Sequence, residues 1–584
     1  MIGAYGNKLA HTPAIDQLAS KGVLFRNAYS NAPVCAPSRF AILTGVYPES
    51  CAPANHMRAV GELPKQFQTY PEILRAAGYY CTNNSKTDYN CNVDLKALWN
   101  AQGAKAHWRQ RPEGQPFMAV FNYEATHESQ IFKPTAGRVT PEMITVPPYL
   151  PDTLGIKQDF ASYHNLIETM DSQIAERLAE LESDGLSDDT IVFLYSDNGG
   201  VLGRSKRYCY DEGLRCALIV YAPPKWQHLL PSSPGSEVTS PVSLIDLAPT
   251  LCTLAGVPQP AQMAGKSILG RNVAKQRYAF GMRNRMDERI DFQRTVTDSR
   301  WRYIRNYMPH RPWGQHQAFA WLAKGYQEWE AAHIAGTLNS EQDRFFQIKP
   351  YEELYDLTND PDQVRNLAGN LASAPVLARL SDALDTHMRK INDNGFLPET
   401  MEGEGYIQSR DERVYPLAQV MKLAAAAARG QDDEIGKLID ALSSHVAVLR
   451  YWGATGLLVR GSRARNALGP LQSAMRRDTS PFVKIVCAEA VANLVLPDEP
   501  VGILTELLDN SPVWQVQLHA LNALTFLGEA AMPAKLAFEK AAISEQEYLR
   551  NAGRYAASVL NGSYTPSSPI FDFEWLMKKL QVAS

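Results

Sequence analysis

Cys35-Ala36-Pro37-Ser38-Arg39 sets a thiol, a hydroxyl and a guanidinium inside five residues, directly ahead of the apolar run Phe40-Ala41-Ile42-Leu43-Thr44-Gly45. The run reads as a helix stopped by its glycine. The thiol therefore falls at the helix N-terminus, where backbone N–H groups lack partners and favour an anion. Arg39 adds a cation that can hold a tetrahedral oxyanion through two N–H bonds. A second group, Ser196-Asp197-Asn198-Gly199-Gly200, puts a carboxylate beside a carboxamide, hard oxygen ligands suited to Ca2+ or Mg2+. His127 follows an apolar run, His56 and Arg58 share a loop, and Pro309-His310-Arg311-Pro312-Trp313-Gly314 mixes bases with an aromatic ring. Such loops can offer an aromatic face and cations to a bound ligand.

These groups need elements to hold them. Phe117-Met118-Ala119-Val120-Phe121 is a short apolar run of the kind that forms a buried parallel strand. It delivers His127 just past its C-terminal end, the edge where open α/β sheets gather functional residues. Thr190-Ile191-Val192-Phe193-Leu194-Tyr195 reads as another buried strand, with Asp197 and Asn198 at its tip. Between the two, Phe160, Tyr163, Ile167, Met170, Ile174, Leu178 and Leu181 recur at helical spacing, an amphipathic helix of about two dozen residues.

The chain has 584 residues, too many for one core, and a formal charge of −4 that implies neither nucleic acid nor an anionic membrane as partner. It has no run of about eighteen apolar residues. Its eight cysteines show no metal-ligand spacing; Cys51 with Cys81 or Cys91 is the pair that would close a bridge in an exported chain.

The flanks of the cysteine motif, Ala28-Tyr29 and Pro33-Val34 before it and Leu43-Thr44-Gly45-Val46-Tyr47-Pro48 after it, resemble the signature of type I sulfatases, formylglycine-dependent enzymes of the alkaline phosphatase superfamily. Further segments match in order: the one carrying Lys86, then His127, Ser196-Asp197-Asn198-Gly199, the one carrying Lys206, and Glu353-Leu354-Tyr355-Asp356-Leu357. The resemblance spans roughly residues 1–370. It implies an α/β fold with an alkaline-phosphatase-like mixed sheet sandwiched by helices, then a smaller α+β subdomain. It also implies that a formylglycine-generating maturation enzyme converts Cys35, and that the aldehyde hydrate attacks the sulfur of a sulfate ester or sulfamate. Cys35, Arg39, Lys86, His127 and Lys206 are then catalytic, with His127 or Lys206 protonating the leaving group. Cys35, Asp197 and Asn198 would hold Ca2+, with Mg2+ as the alternative. His56, Arg58, Asp88 and His310 would contact substrate; Asp88 stands where the family commonly has a histidine, a departure that points to specificity.

In that family a strand ending in two adjacent metal-binding aspartates precedes the turn formed here by residues 1–7. The sequence opens on the turn, so a truncated start is the expectation. The loops around His56 and Lys86 resemble bacterial carbohydrate sulfatases of a heparan N-sulfatase-like branch, which makes a sulfated carbohydrate the expected substrate. The alternatives are a phosphonate or phosphate-ester hydrolase of the same superfamily and a catalytically silent scaffold. Enzymes resembling this chain are commonly periplasmic or secreted, although the chain itself leaves its compartment unknown.

The expected domains are the catalytic α/β domain at 1–275, the α+β subdomain at 276–395, a linker at 396–415, helical repeats at 416–562 and a tail at 563–584. Arg450, Lys484 and Gln517 open equivalent Ala/Leu-rich stretches 34 and 33 residues apart, the period of a small HEAT-like solenoid that would bind a protein partner or prop up its neighbour.

Overall fold

The computed structural model describes residues 1–271, 273–495 and 497–572. They form two compact units: residues 1–283, 294–304 and 352–391 make the first, and residues 284–293, 305–351 and 392 onward the second. The segment 276–395 is thus shared between the units and is not one subdomain.

In the first unit the strands and helices that matter to the site are, in chain order, β1 (Val23–Phe25), α1 (Cys35–Thr44), β2 (Tyr80–Asn84), β3 (Ala101–Gln102), β4 (Phe117–Phe121), α2 (Leu154–Ser183), β5 (Val192–Tyr195), β6 (Leu218–Tyr221) and β7 (Glu237–Val238). They build two sheets, β3-β2-β4 and β5-β6-β1-β7. The first is parallel, with Tyr80 opposite Phe117 and Asn84 opposite Phe121. In the second, β6 runs antiparallel to both β5 and β1, and β7 runs parallel to β1. A further sheet of Ala279–Arg283, Gln293–Thr297, Trp301–Asn306 and Glu352–Asp356 follows.

The core packs Val23, Phe25, Ile42, Leu43, Ile73, Leu74, Leu218 and Val220 with Leu244, Leu247 and Ala248. β4 and β5 were expected to be buried, but both are half-buried. The reason is a cavity of about 1460 Å3 lined by all of β4 and β5, by Phe160, Ile167 and Ile174 of α2, and by Asp197 and Asn198. β4 and β5 are edge strands of their sheets. α2 is 30 residues long, rather than about two dozen, because the pattern continues for another turn before Asp159. Cys51, Cys81 and Cys91, like the other five cysteines, are free thiols, so no bridge forms.

The second unit is mainly helical: α3 (Leu417–Arg429), α4 (Ile435–Ala441), α5 (Ala447–Arg460), α6 (Leu468–Arg477), α7 (Pro481–Ala492), α8 (Asp498–Asn510), α9 (Trp514–Phe526), α10 (Lys535–Ala541) and α11 (Glu547–Leu560). α5, α7, α9 and α11 pack in a row, each also against the helix before it. They start 34, 33 and 33 residues apart, which adds a fourth copy to the three that the sequence pattern reveals. Arg450 and Arg550 occupy the same place in their helices, and each donates to the carbonyl of a serine six residues earlier, Ser444 and Ser544. The 396–415 stretch is packed and does not behave as a free linker: Phe396, Leu397, Met401 and Tyr415 are buried, and the Tyr415 hydroxyl donates to the Asp393 carbonyl. Residues 573–584 of the expected tail lie outside the described residues. Among the described residues no helix is long and apolar enough to cross a membrane.

Candidate active site

α1 begins at Cys35 and ends at Gly45, whose φ of 66° is the left-handed cap that a glycine takes without steric cost. Cys35 is buried, and its Sγ lies 3.5 Å from Asn198 Oδ1 and 3.8 Å from Lys86 Nζ. Helix and strand tip are tied together one turn on: the Ser38 hydroxyl donates to the Asp197 carbonyl, and Arg39 Nε donates to Asp197 Oδ2 at 2.7 Å. Arg39 NH1 also donates to Asn122 Oδ1 at 2.9 Å, just past β4, and Asn122 in turn donates to Asn83 and Asn84 of β2. Burial alone would raise the Asp197 carboxyl, but Arg39, Lys86 and Lys206 outweigh it and hold it below the usual range. The turn after β5 needs Gly199: a Cβ there would stand 2.2 Å from the Glu212 carbonyl oxygen.

Lys86 follows β2, with Glu124 Oε1 at 3.9 Å on its exposed side. His127 ends the loop after β4. Its Nδ1 accepts from the Ser129 backbone N–H at 3.3 Å, which leaves the proton on Nε2. Burial, then Lys206 and Lys86, push His127 down to about 3, so it is neutral at ordinary pH. Lys206 is 3% exposed and lies 3.3 Å from Glu128 Oε2. Burial lowers its affinity for a proton, yet its acidic neighbours, Cys35, Glu128 and Asp197, raise it above the usual lysine range.

His56 is buried and Arg58 exposed in the loop after Cys51. Arg58 Nε sits 3.9 Å from Asp88 Oδ1, and both residues have φ near 51°. His310 belongs to the second unit, where burial, Arg311 and Lys349 press its ring well below the usual histidine range.

Asp197 and Asn198 fit a calcium-type ion in kind, being hard oxygens beside the nucleophile position. Among the described residues, however, no group of three or more His, Cys, Asp or Glu side chains could hold a metal ion. Calcium takes six to eight oxygens, so most of such a shell must come from other ligands, and the cavity onto which Asp197 and Asn198 open has room for them.

Three residues of this centre escape a reading of the sequence. Asn122 orients Arg39, while Glu128 and Arg207 form a fully buried pair at 2.5 and 3.0 Å. Asn122 and Glu128 flank the His127 loop, and Arg207 follows Lys206, so adjacency to a candidate was the available signal. Their partners lie some 80 residues away, which no local pattern reports.

The sulfatase family profile matches residues 1–104 and 80–257, and the profile for the C-terminal part of N-sulphoglucosamine sulphohydrolase matches residues 204–316. An ulvan-active sulfatase of Formosa agariphila is 36% identical over 452 residues, 68% of this chain and 74% of that one. A second ulvan-active sulfatase of the same organism is 28% identical, over 71% of this chain and 82% of its own. Human N-sulphoglucosamine sulphohydrolase is 26% identical, over 65% of this chain and 86% of its own.

Proposed function

The chain belongs to the sulfatase family of sulfuric ester hydrolases, and from that premise we propose that it removes sulfate from sulfated glycans with a nucleophile made from Cys35. The observation that carries this reading is the convergence on Cys35 Sγ of Asn198 Oδ1 and Lys86 Nζ, at 3.5 and 3.8 Å, where α1 begins. The thiol marks the place of a formylglycine side chain. Once formed, that group would supply a hydrate hydroxyl as nucleophile, and Ca2+ held by Asp197 and Asn198 would supply positive charge beside it.

The protein's own residues do the rest. Asp197 and Asn122 fix the plane of Arg39, so its charge is oriented before substrate arrives. Lys86 donates toward the nucleophile position, and Lys206 keeps a second ammonium within electrostatic reach of it. A neutral His127 can offer its Nε2–H to a substrate oxygen, but it lacks the extra proton of an imidazolium. Protonation of the departing alcohol or amine therefore falls to Lys206.

Two relatives named as ulvan-active sulfatases and one named as an N-sulphoglucosamine sulphohydrolase support a substrate among sulfated carbohydrates. His56, Arg58 and Asp88 are the contacts we assign to the sugar. His310 is a further candidate. Glu124, exposed beside Lys86, disfavours a second anionic group close to the reacting sulfate. The repeated helices of the second unit are HEAT-like in period and suit a protein partner.

The test is peptide mass spectrometry of protein co-expressed with a formylglycine-generating enzyme, followed by turnover of ulvan oligosaccharides, N-sulfoglucosamine and paired aryl sulfate and aryl phosphonate. Conversion of Cys35 with sulfate release supports the reading. A persistent thiol, or faster phosphonate cleavage, overturns it.

A further inference from the structure

Glu128 directly follows His127, opens the short helical turn Glu128–Phe132 and is 2% exposed. Its carboxylate accepts two bonds from the Arg207 guanidinium, at 2.5 and 3.0 Å, and lies 3.3 Å from Lys206 Nζ. Arg207 is anchored at its backbone as well. Its N–H donates to the Pro33 carbonyl at 2.7 Å, two residues before Cys35, and its carbonyl accepts from Arg283 NH1 at 2.7 Å. A continuous frame therefore runs from the loop that presents Cys35, through Arg207 and Glu128, to the Lys206 ammonium.

We infer that Glu128 is a positioning residue for the sulfatase reaction: clamped in one plane by Arg207, it holds the Lys206 ammonium in place and charged without itself touching the reacting atoms. This rests on the functional reading above, in which Lys206 serves the sulfate and the leaving group. A lysine ammonium out of water needs a counter-charge, and Glu128 is the carboxylate at 3.3 Å. A carboxylate alone would cancel that charge locally. With Arg207 added, the three side chains carry a net single positive charge, which remains available to an oxyanion. The two-point Arg207 fork also removes the carboxylate's rotational freedom, so the direction in which it draws Lys206 is fixed. A purely structural Glu128–Arg207 pair would affect stability only.

The experiment compares wild type, Glu128→Gln, Glu128→Asp and Arg207→Met, each matured by co-expression with a formylglycine-generating enzyme. It reads three things: kcat and KM against pH on an aryl sulfate, competitive acetylation of the Lys206 amine against pH by peptide mass spectrometry, and thermal unfolding. Glu128→Gln should lower kcat at least tenfold with KM within about threefold. It should also move both the alkaline limb of kcat and the Lys206 acetylation midpoint to lower pH. Glu128→Asp should shift them less. Arg207→Met, which removes the competing cation, should move the midpoint upward. If Glu128→Gln does not fold, the opposite-sign shifts of the other two variants carry the test. Folded variants whose acetylation midpoints and pH profiles match wild type overturn the inference, whatever their unfolding temperatures. A wild-type protein that is matured yet inactive would overturn the functional reading, while the acetylation midpoints would still decide whether Glu128 controls Lys206.

Discussion

The surroundings of Cys35 and the helical row of the second unit handle sequence distance in opposite ways. Around Cys35, Arg39 meets Asp197, Lys86 meets Cys35 and Lys206 meets Glu128, at separations of 158, 51 and 78 residues. In the helical row each element packs on its neighbours in sequence, and one arrangement recurs at 33 to 34 residues. The first region concentrates charge at the tips of strands and pairs it over long distances. The second buries alanine and leucine and repeats. Chemistry here depends on a few irreplaceable side chains, whereas the row depends on many small, similar packing terms.

Replacing Cys35 by Ala should sharpen that contrast most, abolishing turnover of sulfated saccharides in a protein that unfolds normally; retained turnover would break it. Lys206→Met should cost roughly 10²–10³ in kcat, measured under saturating aryl sulfate. In the helical row, Leu504→Ala removes a fully buried side chain and should destabilise the second unit by about 2–5 kcal/mol without lowering kcat at temperatures where it stays folded. Denaturant unfolding checks the first part and steady-state kinetics the second. At the small end, Arg476 and Glu499 form an exposed pair, so Arg476→Ala should leave the denaturant midpoint nearly unchanged.

Particular buried groups in the two units should also respond to pH in opposite directions. Glu128 is depressed to about 2, after Arg207 and Lys206 outweigh its burial, and His127 is depressed to about 3 by burial. Unfolding would let His127 take a proton below its ordinary value near 6.5, and Glu128 below 4.5. The stability that His127 and Glu128 lend the first unit is therefore lost as pH falls from about 6.5, more steeply below 4.5. In the second unit burial raises Glu288 to about 7 and Glu404 to about 8. Their contribution is present below the ordinary 4.5 and is lost as pH rises through 7 and 8. His310 and His316, pressed down by burial, act in the acid direction there as well. Hydrogen exchange followed by peptide at pH 6 and pH 9 should show the second unit loosening more than the first; equal loosening would remove the distinction.

Much of this was legible in the residues themselves. The Cys35 motif fixes a helix start because Pro37 and the apolar run after it leave no other local choice, and the strand ahead of Asp197 follows from branched and aromatic residues. The 34- and 33-residue spacing identifies a repeating helical array because each copy solves the same packing problem with the same residue types. Half-burial of β4 and β5 was not legible, since periodicity reports which residues are apolar and not which strands lie beside them. The division of residues 276–395 between two units was hidden for the same reason, being decided by long-range packing. Above all, the sequence alone could name Lys206, but only the tertiary structure could supply Glu128 and Arg207. A charge leaves water only beside a partner, and where that partner sits along the chain is set by how strands and loops meet, not by spacing.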